Sequence, residues 1–268
     1  MTAPASPPIP ILLYHSVSDQ PSEFIAPYTV TPAAFRRQLD AVAAIGATTL
    51  TVSDLLAALA NDTLPERPVL VTFDDGYLDT LTTAAPELAE REMTSTVYVT
   101  TGVVGAKSPG GDVMLSWPQV NELAGLGHEI GAHSHTHPQL DTLSVAAMQR
   151  EIAGSRTLLR EGTGLPVDSF AYPHGYSDAR VRRAVQKAGF SSAASVKNAM
   201  SSPSDPPFAL ARLMLMATTS DEEFLGWLAG RGVPVGRADE RLLTRGWRWW
   251  RRARATVGAA PERWADAA

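Results

Sequence analysis

Residues 69–80 read VLVTFDDGYLDT, an apolar run that ends on two adjacent carboxylates, Asp74 and Asp75, followed by a glycine. The run is rich in β-formers and begins after Pro68, so it reads as a buried strand, and the acids fall where that strand opens into a loop. Burying carboxylates is costly unless a cation or a hydrogen-bond network receives them. Structure alone gives little reason for the pair, and a site gives a good one.

The same strand-then-loop pattern recurs on both sides. Upstream, PILLYHSV is strand-like and reaches His15 near its end. Thr31 and Pro32 then supply the cap and first-turn proline of a helix running to about Ala44 and closed by Gly46, and a second short helix follows Ser53. Downstream come a helical run around residues 81–92, a strand at 95–99 and a Gly/Pro/Ser loop at 101–114. Ser116 caps WPQVNELAGLG, HEIGAHSHTH reads as a strand opening into a loop, and a long helix covers about 144–160. VDSFAYPHG is a strand ending in a turn, Ser177 caps DARVRRAVQKAG, FSSAAS and FALARLML are strands, and a helix covers 221–229. About seven strands alternating with helices predict mostly parallel pairing, in a barrel or a doubly wound sheet. Asp74, Asp75, His133, His137 and His174 all fall just past strand C-terminal ends, where catalytic groups collect in both architectures.

The 268 residues are 44% hydrophobic and 19% charged, values of a folded soluble protein, with no stretch near the roughly 20 apolar residues of a membrane span. The first residues carry no Lys or Arg before a strand-length apolar run, so the expected compartment is the cytoplasm. With no cysteine, any metal must be held by His, Asp or Glu. The net charge of −5 conceals an asymmetry: residues 1–230 hold 14 basic and 24 acidic side chains, whereas 231–268 hold 9 and 4. The expected organisation is one catalytic domain over 1–230 and a distinct basic tail over 231–268, and nothing in the body resembles a nucleic-acid footprint.

AHSHTHP places His133, His135 and His137 within five residues. A hydrolytic zinc site uses three protein ligands and leaves a position for water, so two of these imidazoles and one of Asp74 and Asp75 form a suitable set. Strict strand alternation would put all three histidines on one face, so spacing does not say which two ligate. His174 sits in a tight turn, where its backbone N–H is of more interest than its ring. His128 is expected to face solvent. Arg212 stands among apolar and small residues and needs a buried acceptor, such as a catalytic carboxylate, unless it snorkels to the rim.

TFDDGY at 72–77, HEIGAHSHTHPQL at 128–140 and FAYPHG at 170–175 resemble the successive motifs of the polysaccharide deacetylase, or NodB-homology, family of metal-dependent carbohydrate N-deacetylases. LLYHSV resembles the opening of its poly-N-acetylglucosamine deacetylase branch, whose motif order is permuted, and the likeness spans about residues 9–220. The resemblance implies an incomplete (β/α)7 barrel and one divalent metal, Zn2+ foremost, with Co2+, Ni2+ or Mn2+ as alternatives. It assigns Asp74 as catalytic base, Asp75, His133 and His137 as ligands, His135 as a spacer and His15 as the acid. The family's third motif carries an Arg before a Pro-Tyr pair; here Ala171 and His174 stand instead, and Arg212 is expected to supply the guanidinium.

The implied reaction is removal of an N-acetyl group from a glycan or a lipid-linked sugar. Asp74 takes a proton from metal-bound water, a backbone N–H in the turn Tyr172, Pro173, His174, Gly175 holds the oxyanion, and protonated His15 gives a proton to the departing amine. The rivals are deformylation or another amide hydrolysis at the same site, and a non-catalytic glycan-binding module. In the tail, DERLLTRGWRWWRRARATV gathers Leu and Trp on one helical face and Arg on the other. That face either docks on the barrel or lies on an anionic membrane surface.

Overall fold

The strand and helix alternation persists through the computed structural model, which describes residues 8–236. Seven strands make one curved parallel sheet: β1 (Ile11–Tyr14), β2 (Pro68–Phe73), β3 (Thr96–Val99), β4 (Glu129–Ala132), β5 (Ser169–Ala171), β6 (Ser192–Ala194) and β7 (Leu213–Met214). Their spatial order is β7-β1-β2-β3-β4-β5-β6, with Thr48–Thr49 added beside the start of β2. Every pairing along that order is parallel. The ends approach each other through Leu210, whose N–H donates to Ala193 O at 3.2 Å and whose carbonyl accepts from Ser195 at 2.9 Å. The result is the incomplete barrel the resemblance implies.

All six residues of β2 are buried, as expected for a central parallel strand covered on both faces. Its one polar member, Thr72, donates its hydroxyl to Leu12 O at 2.9 Å. The outer layer comprises α1 (Pro32–Ala44), α2 (Val52–Ala60), α3 (Ala85–Ala89), α4 (Trp117–Gly125), α5 (Val145–Thr163), α6 (Ala179–Lys187) and α7 (Asp221–Leu228). All but α2 close the principal core against Leu12, Val71, Phe73, Val97, Ile130 and Phe170, while α2 packs Val52 and Leu55 into a second cluster with Ile11, Leu70 and Tyr98. Among the described residues no helix is long and apolar enough to cross a membrane.

Three local expectations are corrected. α2 begins at Val52, one residue before Ser53, because Thr51 and Asp54 form a reciprocal capping box. α6 is capped by Asp178 rather than Ser177, its side chain accepting from Val181 N–H at 2.8 Å. FALARLML is a helical turn at Pro207–Ala209 followed by a two-residue strand, since Leu210 is taken by β6 before the chain reaches β1. The basic segment from residue 237 onward, and with it the amphipathic reading of the tail, lies outside the described residues.

Candidate active site

The two acids at the end of β2 diverge because the backbone reverses between them and Gly76. Asp74 still follows the sheet, its N–H donating to Tyr14 O at 2.9 Å. Asp75 is left-handed, with φ 76°, and Gly76 follows at φ 91°. A non-glycine residue persists there only where its surroundings hold it. Here the Asp75 carbonyl accepts from Thr100 N–H at 3.1 Å and the Gly76 carbonyl from Leu115 N–H at 2.9 Å. Both carboxylates are only 2% exposed, yet they meet different partners.

Asp75 meets the histidines. β4 ends at Ala132, and the following loop is left-handed at Ser134 and His137, so strand alternation does not extend through the cluster. His133 and His137 converge with their Nε2 atoms 3.2 Å apart, and Asp75 Oδ1 lies 3.4 Å from each. Ala171 O, 2.9 Å from His133 Nδ1, can only accept, so the proton sits on Nδ1 and Nε2 presents its lone pair. Asp75 Oδ1 is buried without a hydrogen-bond donor. A tetrahedral ion bound at about 2.0–2.1 Å requires donor atoms about 3.3–3.4 Å apart, close to these separations. The triad therefore fits a zinc-type ion. His135 is turned away, its Nδ1 2.9 Å from Thr101 Oγ1.

Asp74 meets Arg212, which is fully buried. The guanidinium binds it with both terminal nitrogens, Nη1 to Oδ1 and Nη2 to Oδ2, each at 2.7 Å. This is the buried acceptor the sequence called for, and it excludes snorkelling. Nε donates to Ser195 O at 3.3 Å, and the cation lies 5.4 Å from the centre of the Tyr98 ring. Burial pushes the Asp74 carboxyl up, but Arg212, then His133 and His15, more than offset this and hold it below the usual range. Burial, and then the charge of Asp74, raise Asp75 well above it. Asp74 Oδ2 is 3.7 Å from His133 Nε2, so the base candidate borders the triad without belonging to it.

His15 follows β1 on the same rim, with its ring 5.3 Å from that of Tyr28. Burial lowers it to about 4, against the raising influence of Asp74. It is therefore neutral near pH 7 in the metal-free site. Tyr172 is buried with its hydroxyl donating to Phe208 O at 3.0 Å, so its ring serves packing. Pro173 and Gly175 form the tight turn beside the site, and His174, left-handed at φ 57°, brings its ring centroid 4.6 Å from that of His137. His128 is buried rather than solvent-facing, because Ser95 Oγ lies 2.9 Å from its Nδ1.

Sequence reasoning missed three supports. Ser134 Oγ accepts from His137 N–H at 3.0 Å, a role suggested by a hydroxyl between two ligands. Tyr28 beside His15 and Glu151 beside the histidine loop come from distant segments and leave no local signal.

The pattern of the family described as polysaccharide deacetylase matches residues 61–193, which take in the acid pair, the histidine loop and the turn at Pro173 but neither His15 nor Arg212. YxkH of Bacillus subtilis (strain 168), provisionally named a polysaccharide deacetylase, is 29% identical over 217 residues, covering 81% of this chain and 74% of its own. Among solved structures, the deacetylase PplD of Streptococcus pyogenes in complex with acetate is similar at TM-score 0.73 and 25% identity, over 81% of this chain and 96% of PplD. IcaB from Ammonifex degensii is similar at TM-score 0.73 and 26% identity, over 84% and 97%. The motif match, the relative and the barrel agree with the site geometry in supporting the polysaccharide deacetylase family, whose members are hydrolases, for this chain.

Proposed function

We propose that this protein is a metal-dependent hydrolase that removes N-acetyl groups from N-acetylhexosamine residues of a glycan or glycoconjugate. The observation that carries the reading is the juxtaposition of a zinc-shaped Asp75–His133–His137 triad with an Arg212-bound Asp74 at its edge. When bound there, a divalent ion, Zn2+ by its donor set, supplies a water acid enough to ionise near neutral pH and an electrophile for the amide carbonyl.

Asp74 accepts the proton at Oδ2, the atom nearer the triad. Arg212 keeps that carboxylate ionised and aimed, at the expense of its basicity. The oxyanion needs a donor from the turn after β5. Our candidate is the His174 N–H, in the tight turn whose imidazole ring lies beside that of His137. His15 enters neutral, gains a proton during turnover and gives it to the departing amine. Water and the amide yield acetate and a free amino sugar.

The test is acetate release from N-acetylglucosamine oligomers by metal-loaded and chelated protein, run beside formate release from N-formyl counterparts. Metal-dependent acetate release supports the reading. Formate release alone would assign the site to deformylation, and binding without either product would make the barrel a glycan-binding module.

A further inference from the structure

The loop between the ligand histidines holds two left-handed residues, Ser134 at φ 66° and His137 at φ 54°. Neither is a glycine, so the conformation needs support from outside. On one side the His135 carbonyl accepts from Gly102 N–H at 2.7 Å, an approach that only glycine permits, since a Cβ there would lie 2.5 Å from that oxygen. On the other side stands a single carboxylate from α5. Glu151 Oε2 accepts from the N–H of His135 at 3.0 Å and of Thr136 at 2.7 Å, while Oε1 accepts from the Thr136 hydroxyl at 2.7 Å. All three bonds land on residues that separate His133 from His137. The helix that delivers them is 19 residues long and anchored by buried Met148, Ile152, Ser155 and Leu159.

We propose that Glu151 is a positioning residue that presets the two ligand imidazoles for metal, an inference that rests on the metal-site reading above. It touches neither imidazole. It fixes the backbone whose left-handed turns bring the two Nε2 atoms to 3.2 Å, close to the separation a tetrahedral ion requires. Without it, two backbone N–H groups lose their acceptor and the loop can leave the left-handed region. The ion must then pay the cost of ordering it.

The bonds require acceptors and reach, but they do not require charge. Glu151→Gln can keep all three, its amide oxygen accepting the two N–H groups and its NH2 donating to the Thr136 hydroxyl. Glu151→Asp keeps the charge but is one methylene too short. Asp54→Ala, which breaks the α2 capping box at the N-terminal end of β3, far from the site, controls for general destabilisation.

The experiment measures Zn2+ affinity by chelator competition, the visible spectrum of the Co2+ form, and urea unfolding of the metal-free full-length variants. Expected is a Kd raised by about 10–100-fold in Glu151→Ala, with a smaller rise in Glu151→Asp, and an altered Co2+ spectrum in both. Glu151→Gln and Asp54→Ala should bind as wild type does. Unchanged affinity in Glu151→Ala overturns the proposal, as does equal weakening in Asp54→Ala. Should Glu151→Ala fail to fold, wild-type affinity in Glu151→Asp with loss in Glu151→Gln overturns it instead. A wild-type protein that binds no metal would overturn the underlying metal-site reading.

Discussion

Replacing Arg212 with methionine removes the guanidinium bound to Asp74 and leaves a side chain of similar length with no donor. Both carboxylate oxygens lose a 2.7 Å charge-assisted bond in a place where Arg212 is 0% and Asp74 2% exposed. Removing one partner of a buried ion pair costs about 3–5 kcal/mol, because the remaining charge stays buried and unpaired. For a chain of this size that is a fall in Tm of roughly 6–20 °C. The sign of the pH dependence follows from the shift of Asp74. In the wild type its folded-state value is depressed, so its stabilisation is present above the ordinary carboxylate value and lost as the pH falls through the folded one. In Arg212→Met, burial wins and the folded value rises, so stability falls as pH rises through the window between the ordinary and raised values. The deficit relative to wild type should therefore shrink on acidification. Urea unfolding of metal-free protein, in which no ion substitutes for the guanidinium, measures this at several pH values. Asp74→Asn/Arg212→Met should recover much of the loss, since both charges are gone. A loss below about 1 kcal/mol in Arg212→Met, with no recovery in the double variant, would show that the pair is not the buried ionic contact described.

Asp74→Asn is expected to retain metal while kcat falls by about 10²–10⁴-fold, and His15→Ala to behave likewise, as read by metal analysis and acetate release. Near-wild-type turnover in either would remove that residue from the mechanism. Burial pushes Asp79, which accepts from the Ser16 hydroxyl, up to about 6. Stability should then decline by about 2–3 kcal/mol as pH rises from about 4 to about 6, and Asp79→Asn should flatten that decline in urea titrations. Liposome flotation of the full chain and of a chain ending at Gly230 separates the two readings of the tail. Salt-sensitive binding to anionic vesicles by the full chain alone assigns it to a membrane surface, whereas insolubility of the shortened chain without vesicle binding assigns it to the fold.

The parallel architecture was legible because buried strands end in loops and alternate with helices, several of them opened by a side-chain cap. Thr31 and Ser116 mark their helices as read, whereas at α6 aspartate outcompetes the neighbouring Ser177 as a cap. The acid pair was legible because two carboxylates after VLVTF have no structural excuse. The choice of ligands among His133, His135 and His137 was not legible from spacing, because it depends on left-handed turns at Ser134 and His137 that no local pattern encodes. His128 failed for a similar reason, since its partner, Ser95, is 33 residues away. Arg212 signalled only that it needed an acceptor; that the acceptor is Asp74, 138 residues earlier, follows from closure of the sheet around β1.

The central claim is that Asp75, His133 and His137 hold one divalent ion, and its most direct test is metal stoichiometry. Zinc content after loading and desalting should be one ion per wild-type chain. It should be lost in Asp75→Ala, His133→Ala and His137→Ala, and retained in His135→Ala and Asp74→Asn. Unchanged stoichiometry in all three ligand variants, or a wild-type chain that retains no ion, would contradict the account.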